Sequence, residues 1–287
     1  MSKFDVQYLN LCKRILQSGY YGENNMGPNT YKLTHEIMKF DLQEEFPILT
    51  TKSVAFKSAV LEMLWIYQAQ SNDVRWLQER GIKIWDAWEI DENGYYNGKY
   101  LGKEYAHTIG TAYGYIAKRY ELVQNLIKTI KEDPIDRRMI MSLWQNEYLP
   151  TAALPSCVWN SQWDVTGDKL NCMVTQRSCD VPLGFPFNVT QYATLVHLIS
   201  KATGYKPGNM TWIINNAHIY EDQIDGINEQ ISRMDQAKEA PELWINPEIN
   251  DFFEFDNSKS LNDIKLINYE HCGKVAMPLS KGKVLKK

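Results

Sequence analysis

Two short segments in the middle of the chain carry side chains suited to covalent chemistry. The first is Leu154-Pro155-Ser156-Cys157. The second is Gln176-Arg177-Ser178-Cys179-Asp180-Val181-Pro182-Leu183-Gly184-Phe185-Pro186-Phe187-Asn188. Between them they hold a thiol, a guanidinium, a carboxylate and a side-chain amide. A nearby arginine favours the thiolate, the nucleophilic form of cysteine. An asparagine offers a donor and an acceptor in one plane, which suits the amide-like edge of a heterocycle. The set predicts covalent chemistry on a pyrimidine.

Other residues carry a functional reading beside a plainer one. Free cysteines are commonly buried and inert, and Cys12, Cys172, Cys179 and Cys272 are read that way, whereas Cys157 follows a Pro-containing turn at the start of a strand. Arg137 and Arg138 are either a solvated pair or a bidentate phosphate clamp. Glu62 sits on an apolar helix, where it is either an ion-paired core residue or a proton relay. His218 and Tyr220 alternate along a strand and so share a face, as core or as ligand contacts. His35, His107, His197 and His271 lack metal-ligand spacing.

These groups need a scaffold. Of 287 residues, 44% are hydrophobic and 23% charged, an ordinary globular balance. No linker, repeat or low-complexity block divides the chain, so one domain over residues 1–287 is expected. A net charge of −4 argues against a broad nucleic-acid footprint but permits a local anion site. The nine Trp and seventeen Tyr can wall a pocket for flat ligands. Five cysteines without a C-x-x-C pair speak against zinc or a disulfide framework. No apolar stretch follows the first residues, and the most apolar window, residues 54–67, is too short to span a bilayer. A reducing cytoplasm, without a membrane or nucleic-acid partner, is the expected setting. The basic tail (Lys281, Lys283, Lys286, Lys287) reads as a solvated end.

Helical spacing of Phe4, Tyr8, Leu11 and Ile15 predicts a first helix stopped at Gly19. Residues 22–31 read as a polar loop and 32–42 as extended. Thr50, Thr51 and Ser53 offer caps to an apolar helix from Val54 to Ile66. Residues 71–73 cap a short helix ending at Gly81, and 89–112 form a long Gly- and Tyr-rich loop. A helix over 121–131 precedes a buried strand over 138–144. A hairpin turns at Thr166-Gly167-Asp168. A helix over 189–202, a strand over 210–214, a helix over 221–234 and strands at 243–245 and 264–269 follow. The pattern is α+β: a large mixed β-sheet flanked by long helices.

At this point the chain resembles the thymidylate synthase family. The resemblance rests on Cys157, the 176–188 block, the Arg137-Arg138 pair and Ala217-His218-Ile219-Tyr220. It extends through Phe46-Pro47-Ile48-Leu49-Thr50-Thr51-Lys52, Glu62-Met63-Leu64-Trp65, Ile84-Trp85-Asp86-Ala87-Trp88 and Ala112-Tyr113-Gly114, nearly the whole chain. It implies a thymidylate synthase-like fold forming a homodimer through the sheet. It also implies reductive methylation of dUMP to dTMP with 5,10-methylenetetrahydrofolate as co-substrate and no metal. The implied catalytic residues are Cys157 as nucleophile at uracil C6, Glu62 as proton relay, Tyr113 at the C5 proton, Arg177, Asp180 and Asn188. Gln176, Arg177, Ser178, Asn188, His218 and Tyr220 would hold dUMP, with Arg137 and Arg138 reaching the partner subunit's phosphate site. Lys52, Trp85, Trp88, Asp180, Leu183, Gly184 and Phe187 would hold the folate.

The chain departs from the family pattern in places. Residues 20–31 contain no arginine, and Asn25 stands where the family places one; Lys32 is a nearby cation. Val158 follows the nucleophile, and Asn215-Asn216 replace a Gly-Asp pair. Two alternatives stay open: a pyrimidine nucleotide hydroxymethylase, in which water quenches the intermediate, and an inactive nucleotide-binding homologue. Asn188 favours uracil, because cytosine-specific relatives carry Asp there, and Trp85 favours hydride transfer.

Overall fold

A computed structural model describes residues 1–24 and 27–279. In chain order the elements are α1 (Lys3–Ser18), β1 (Tyr20–Gly22), β2 (Thr30–Asp41), α2 (Phe56–Tyr67), α3 (Val74–Gln78), β3 (Tyr95–Tyr96), β4 (Lys99–Tyr100), α4 (Gly114–Arg119) and α5 (Leu122–Glu132). There follow β5 (Ile140–Ser142), β6 (Val158–Thr166), β7 (Lys169–Gln176), β8 (Cys179–Asp180), α6 (Gly184–Thr203), β9 (Lys206–Tyr220), α7 (Ile224–Ser232), β10 (Glu242–Ile245) and β11 (Ile264–Ile267).

Among the described residues a 7-stranded sheet runs in the order β1-β2-β9-β7-β6-β5, with β8 also on β9. The β9 pairings with β7 and β8 are parallel and the other pairings antiparallel, so the sheet is mixed. Helix α1 packs on β2 and β9, and α6 packs on β7, β9 and α2. The buried side chains form one cluster that includes Phe4, Trp65, Phe185, Trp212 and Ile264. The expected α+β architecture is thus observed.

Helix α1 forms where its apolar spacing predicts: Phe4, Tyr8, Leu11, Cys12 and Ile15 are buried, and Ser2 caps its start. Its Asp5 is wholly buried without a cation. The carboxylate instead accepts from Thr50 N–H (2.8 Å), Thr50 Oγ1 (2.7 Å), Thr51 N–H (3.0 Å) and Thr51 Oγ1 (2.6 Å). Four donors offset the loss of hydration that an ion otherwise suffers on burial. These threonines were expected to cap α2. They do not, because Asp5 takes them, and the N-cap of α2 is Ala55 with no side-chain bond. The next residue, Lys52, donates its buried ammonium to the Pro182 carbonyl, tying the start of the chain to the segment that enters α6.

Several boundaries differ from the sequence expectation for physical reasons. Helix α6 begins at Gly184, five positions before the expected 189, and contains Pro186 in its first turn. First-turn N–H groups have no intrahelical acceptor, so proline costs nothing there. Strand β9 covers 15 residues and passes through Asn215 and Asn216, which lie on its exposed or half-buried positions. The buried strand expected over 138–144 is only the short edge strand β5, with Ile140 half-exposed. Residues 20–22, of which Gly22 was expected to open the 22–31 loop, add β1, and the 89–112 loop contains the small β3–β4 ribbon. The helix expected from Glu221 opens as a 3-10 turn and becomes α-helical at Ile224.

Candidate active site

A cavity of about 420 Å³ opens between α2, the 84–88 turn, the start of α4, the Cys157 turn, the start of α6 and the end of β9. Glu62, Trp85, Trp88, Tyr113, Cys157, Arg177, Ser178, Asp180, Leu183, Gly184, Phe187, Asn188, His218 and Tyr220 all line it. Residues far apart in sequence thus meet in one space. Its walls are largely aromatic and aliphatic: the Trp85 ring lies edge-on to Trp88 (5.4 Å between centroids) and to Tyr113 (5.2 Å).

The Cys157 turn is braced from both sides. Arg177 donates from Nε to the Ser156 carbonyl (2.9 Å) and from Nη2 to the Pro155 carbonyl (2.6 Å), and the same Nη2 lies 3.8 Å from Cys157 Sγ. Across the turn, Cys157 N–H donates to the Tyr113 hydroxyl oxygen at 3.0 Å. Tyr113 is held at φ 47°, a region that non-glycine residues rarely occupy. The next residue must be glycine: a Cβ on Gly114 would sit 1.9 Å from the Ser71 carbonyl oxygen. Burial pushes the Cys157 thiol up, and the Arg177 charge and the Tyr113 hydroxyl oppose that. The guanidinium therefore favours the thiolate, and burial disfavours it.

The carboxylates are set apart by their surroundings. Burial raises Glu62 to about 7, against hydrogen bonds from Trp85 and Gln191. That value suits a group that exchanges protons in neutral solution. Burial raises Asp180 to about 6, opposed by the Leu183 N–H (3.1 Å) and by the Gln223 amide. Asp180 thus also holds the entry to α6. His218 and Tyr220 share a face as predicted, ring against ring at 5.0 Å. Burial lowers His218 to about 4, so it is a neutral imidazole, and its Nδ1 lies 3.0 Å from Asn216 Oδ1.

Four expected site residues lie elsewhere. Gln176 is buried behind the cavity and donates to Asn188 Oδ1 at 3.3 Å, so it supports a lining residue. Lys52 faces Pro182, and burial lowers its ammonium to about 8. Arg137 and Arg138 are exposed before β5, with Arg138 paired to Asp136 at 2.9 Å. Asn25 and the basic tail lie outside the described residues. Gln191 and Tyr192 line the cavity and were not singled out from sequence. Their signal was helical spacing: positions three and four after Asn188 fall on its face of α6. Leu279 adds a lining side chain from the last described segment. Among the described residues, no group of three or more His, Cys, Asp or Glu is placed to hold a metal ion.

Comparison with known proteins agrees over the full fold. The family profile described as Thymidylate synthase matches residues 6–281. A curated thymidylate synthase of Clostridium beijerinckii is 49% identical over 280 residues, covering 98% of this chain and all of the relative. Thymidylate synthase 1 of Bacillus spizizenii is 38% identical, covering 96% of this chain and 98% of its own length. The solved structure of thermostable thymidylate synthase A from Bacillus subtilis superposes with a TM-score of 0.84 at 37% identity, covering 96% of this chain and 99% of that one. With its cavity side chains in place and its sequence matched over nearly its whole length, the chain belongs to the thymidylate synthase family.

Proposed function

We infer that the protein is a thymidylate synthase, a methyltransferase that converts dUMP to dTMP with 5,10-methylenetetrahydrofolate supplying both the carbon and the hydride. One observation carries this reading: Cys157 Sγ, the Arg177 guanidinium, the Asn188 amide and the Glu62 carboxyl converge on one apolar cavity. Uracil C5 is a weak nucleophile. Addition of the Cys157 thiolate at C6 makes C5 enolate-like, able to attack the folate's methylene carbon. Asn188 reads the base, Glu62 moves protons to and from the pyrimidine carbonyl and the folate, and Tyr113 assists loss of the C5 proton. Arg177 and Ser178 take the phosphate; His218 and Tyr220 take the deoxyribose hydroxyl. Trp85, Trp88, Leu183, Gly184 and Phe187 form the flat apolar wall against which a pterin can stack, with Asp180 as its polar contact and Lys52 toward the glutamate tail. That wall excludes water, which favours hydride transfer over a hydroxymethyl product.

The whole chain, residues 1–287, is read as one catalytic domain of a cytoplasmic homodimer, in keeping with its free cysteines. Among the described residues no helix is long and apolar enough to cross a membrane. The dimer would form on the face of the sheet where Ile37 is exposed and Trp159, Met173 and Ile213 are half-buried. Arg137 and Arg138, free of the cavity in their own subunit, would then serve the partner's phosphate site.

Incubation with 5-fluoro-dUMP and methylenetetrahydrofolate tests the mechanism. The fluorine blocks loss from C5, so a covalent complex carrying both ligands on the Cys157 peptide is expected by mass spectrometry. Failure to trap it would favour a non-catalytic homologue.

A further inference from the structure

The loop before α2 is a junction of distant segments. Each oxygen of the Asp5 carboxylate takes one backbone N–H and one hydroxyl there: Oδ2 from Thr50 and Oδ1 from Thr51. Two further segments join the same loop. From α7, Gln230 Nε2 donates to Thr51 Oγ1 (2.9 Å), and Arg233, just beyond the helix, donates Nη1 to the carbonyls of Thr51 (3.3 Å) and Cys272 (3.1 Å). From the last described segment, Cys272 N–H donates to the Thr50 carbonyl and the Gly273 carbonyl accepts from Ser53 N–H, both at 2.8 Å.

Two connections lead from this junction to the cavity, and both arrive at the same part of it. Lys52 donates to the Pro182 carbonyl, next to the lining residues Leu183 and Gly184. The last segment runs from Gly273 to Pro278, whose carbonyl accepts from Gln223 Nε2 at 3.3 Å, and on to Leu279, which lines the cavity. The same Gln223 amide donates to Asp180 (3.2 Å), which also accepts from Leu183 N–H. The opposite part of the cavity is held separately. Arg177 and Tyr113 brace the Cys157 turn, and Trp85 and Gln191 hold Glu62; none of those bonds runs to residues 50–53.

We propose that Asp5 is a positioning residue for the folate: by fixing the Thr50–Ser53 loop it places the Asp180–Gly184 wall and Leu279, and it leaves the nucleotide half of the site alone. This rests on the reading above that this wall holds the folate. Asp5 itself is wholly buried and does not line the cavity. Only a carboxylate meets four converging donors. In Asp5→Asn, whichever oxygen becomes an amino group faces a backbone N–H, which can only donate. A threonine hydroxyl can turn to accept; a backbone N–H cannot. The loop must move to relieve that buried clash, and Lys52 and the 272–273 segment move with it.

Asp5→Asn and the milder Thr51→Val, which removes one of the four donors, are compared with Ile130→Ala, a buried position on α5 away from the junction. The parent and all three variants are measured by kinetics against methylenetetrahydrofolate at saturating dUMP, by calorimetry of dUMP alone, by thermal unfolding and by amide hydrogen exchange. Asp5→Asn is expected to raise the KM for the folate about tenfold or more and Thr51→Val about threefold, with kcat within about threefold and the dUMP Kd within about twofold of the parent. The amides of Val181 and Leu183, bonded to the His218 carbonyl and to Asp180, should exchange faster, and that of Cys157 at the parent's rate. Ile130→Ala should lower Tm and leave the folate KM, the dUMP Kd and those amides unchanged. The proposal is overturned if the folate KM stays at the parent's value in both junction variants, if dUMP affinity falls with it, or if Ile130→Ala raises it as much for the same loss in Tm. Should Asp5→Asn fail to fold, Thr51→Val decides by the same criteria. A parent without saturable dependence on the folate would instead contradict the folate reading of the wall, and exchange at Val181 and Leu183 would still judge the link from Asp5.

Discussion

Replacing Cys157 with serine is expected to lower kcat by about 10⁴-fold or more while dUMP binding stays within a few-fold of the parent. A hydroxyl needs a base to become a nucleophile, and none stands beside this one. The neighbours of Sγ are the Arg177 guanidinium at 3.8 Å and the Tyr113 hydroxyl, whose pKa burial pushes far up. His218, the histidine that lines the cavity, has its Nδ1 engaged by Asn216. A thiol needs less help: burial disfavours loss of its proton, and the Arg177 charge favours it. The groups assigned to the nucleotide, Arg177, Ser178, Asn188, His218 and Tyr220, are untouched by the change, so affinity should survive. Steady-state kinetics with calorimetry of dUMP separates the two effects. Turnover near the parent rate would show that the nucleophile lies elsewhere.

Glu62→Gln is expected to lower kcat by about 10²–10⁴-fold, the usual range for loss of a positioned acid or base, with a smaller change in dUMP affinity. The parent profile of kcat against pH should show a group titrating near 7, where burial places Glu62, and the variant should lack it. Stability follows the same group. Its pKa is raised from 4.5 to about 7 on folding, so the folded state holds the proton more tightly. Stability is therefore greatest below about 4.5 and falls through the window up to about 7, by on the order of 3 kcal/mol for this buried group. The variant should lose that part of the slope when unfolding is followed across this range. A profile with the same inflection near 7 in both proteins would assign the proton transfer to another residue.

What could be read from the sequence was what lies close together in it. Cys157, Arg177, Asp180 and Asn188 fall in two segments joined by one hairpin, and the hairpin register brings Arg177 N–H to the Cys157 carbonyl at 2.9 Å. The shared face of His218 and Tyr220 follows from strand alternation alone. The support of these groups was harder to see. Gln191 gains its meaning only when α6 packs against α2 and brings it to Glu62, a contact no local pattern encodes. Thr50 and Thr51 carry capping side chains, and only the fold decides that a buried Asp5 claims them. The early start of α6 was hidden because Gly and Pro are poor helix formers in a helix interior, whereas at a first turn the effect of Gly184 and Pro186 is small. The arginine pair at 137 and 138 was legible as a candidate clamp, yet in a single chain it reaches no part of the cavity.

The central claim is the overall reaction, and the product tests it most directly. The full chain is incubated with dUMP and 5,10-methylenetetrahydrofolate, and the nucleotide and folate products are identified together by mass spectrometry. The account predicts dTMP and dihydrofolate in equal amounts. A hydroxymethyl nucleotide with unoxidised tetrahydrofolate, or no product from either substrate, would contradict it.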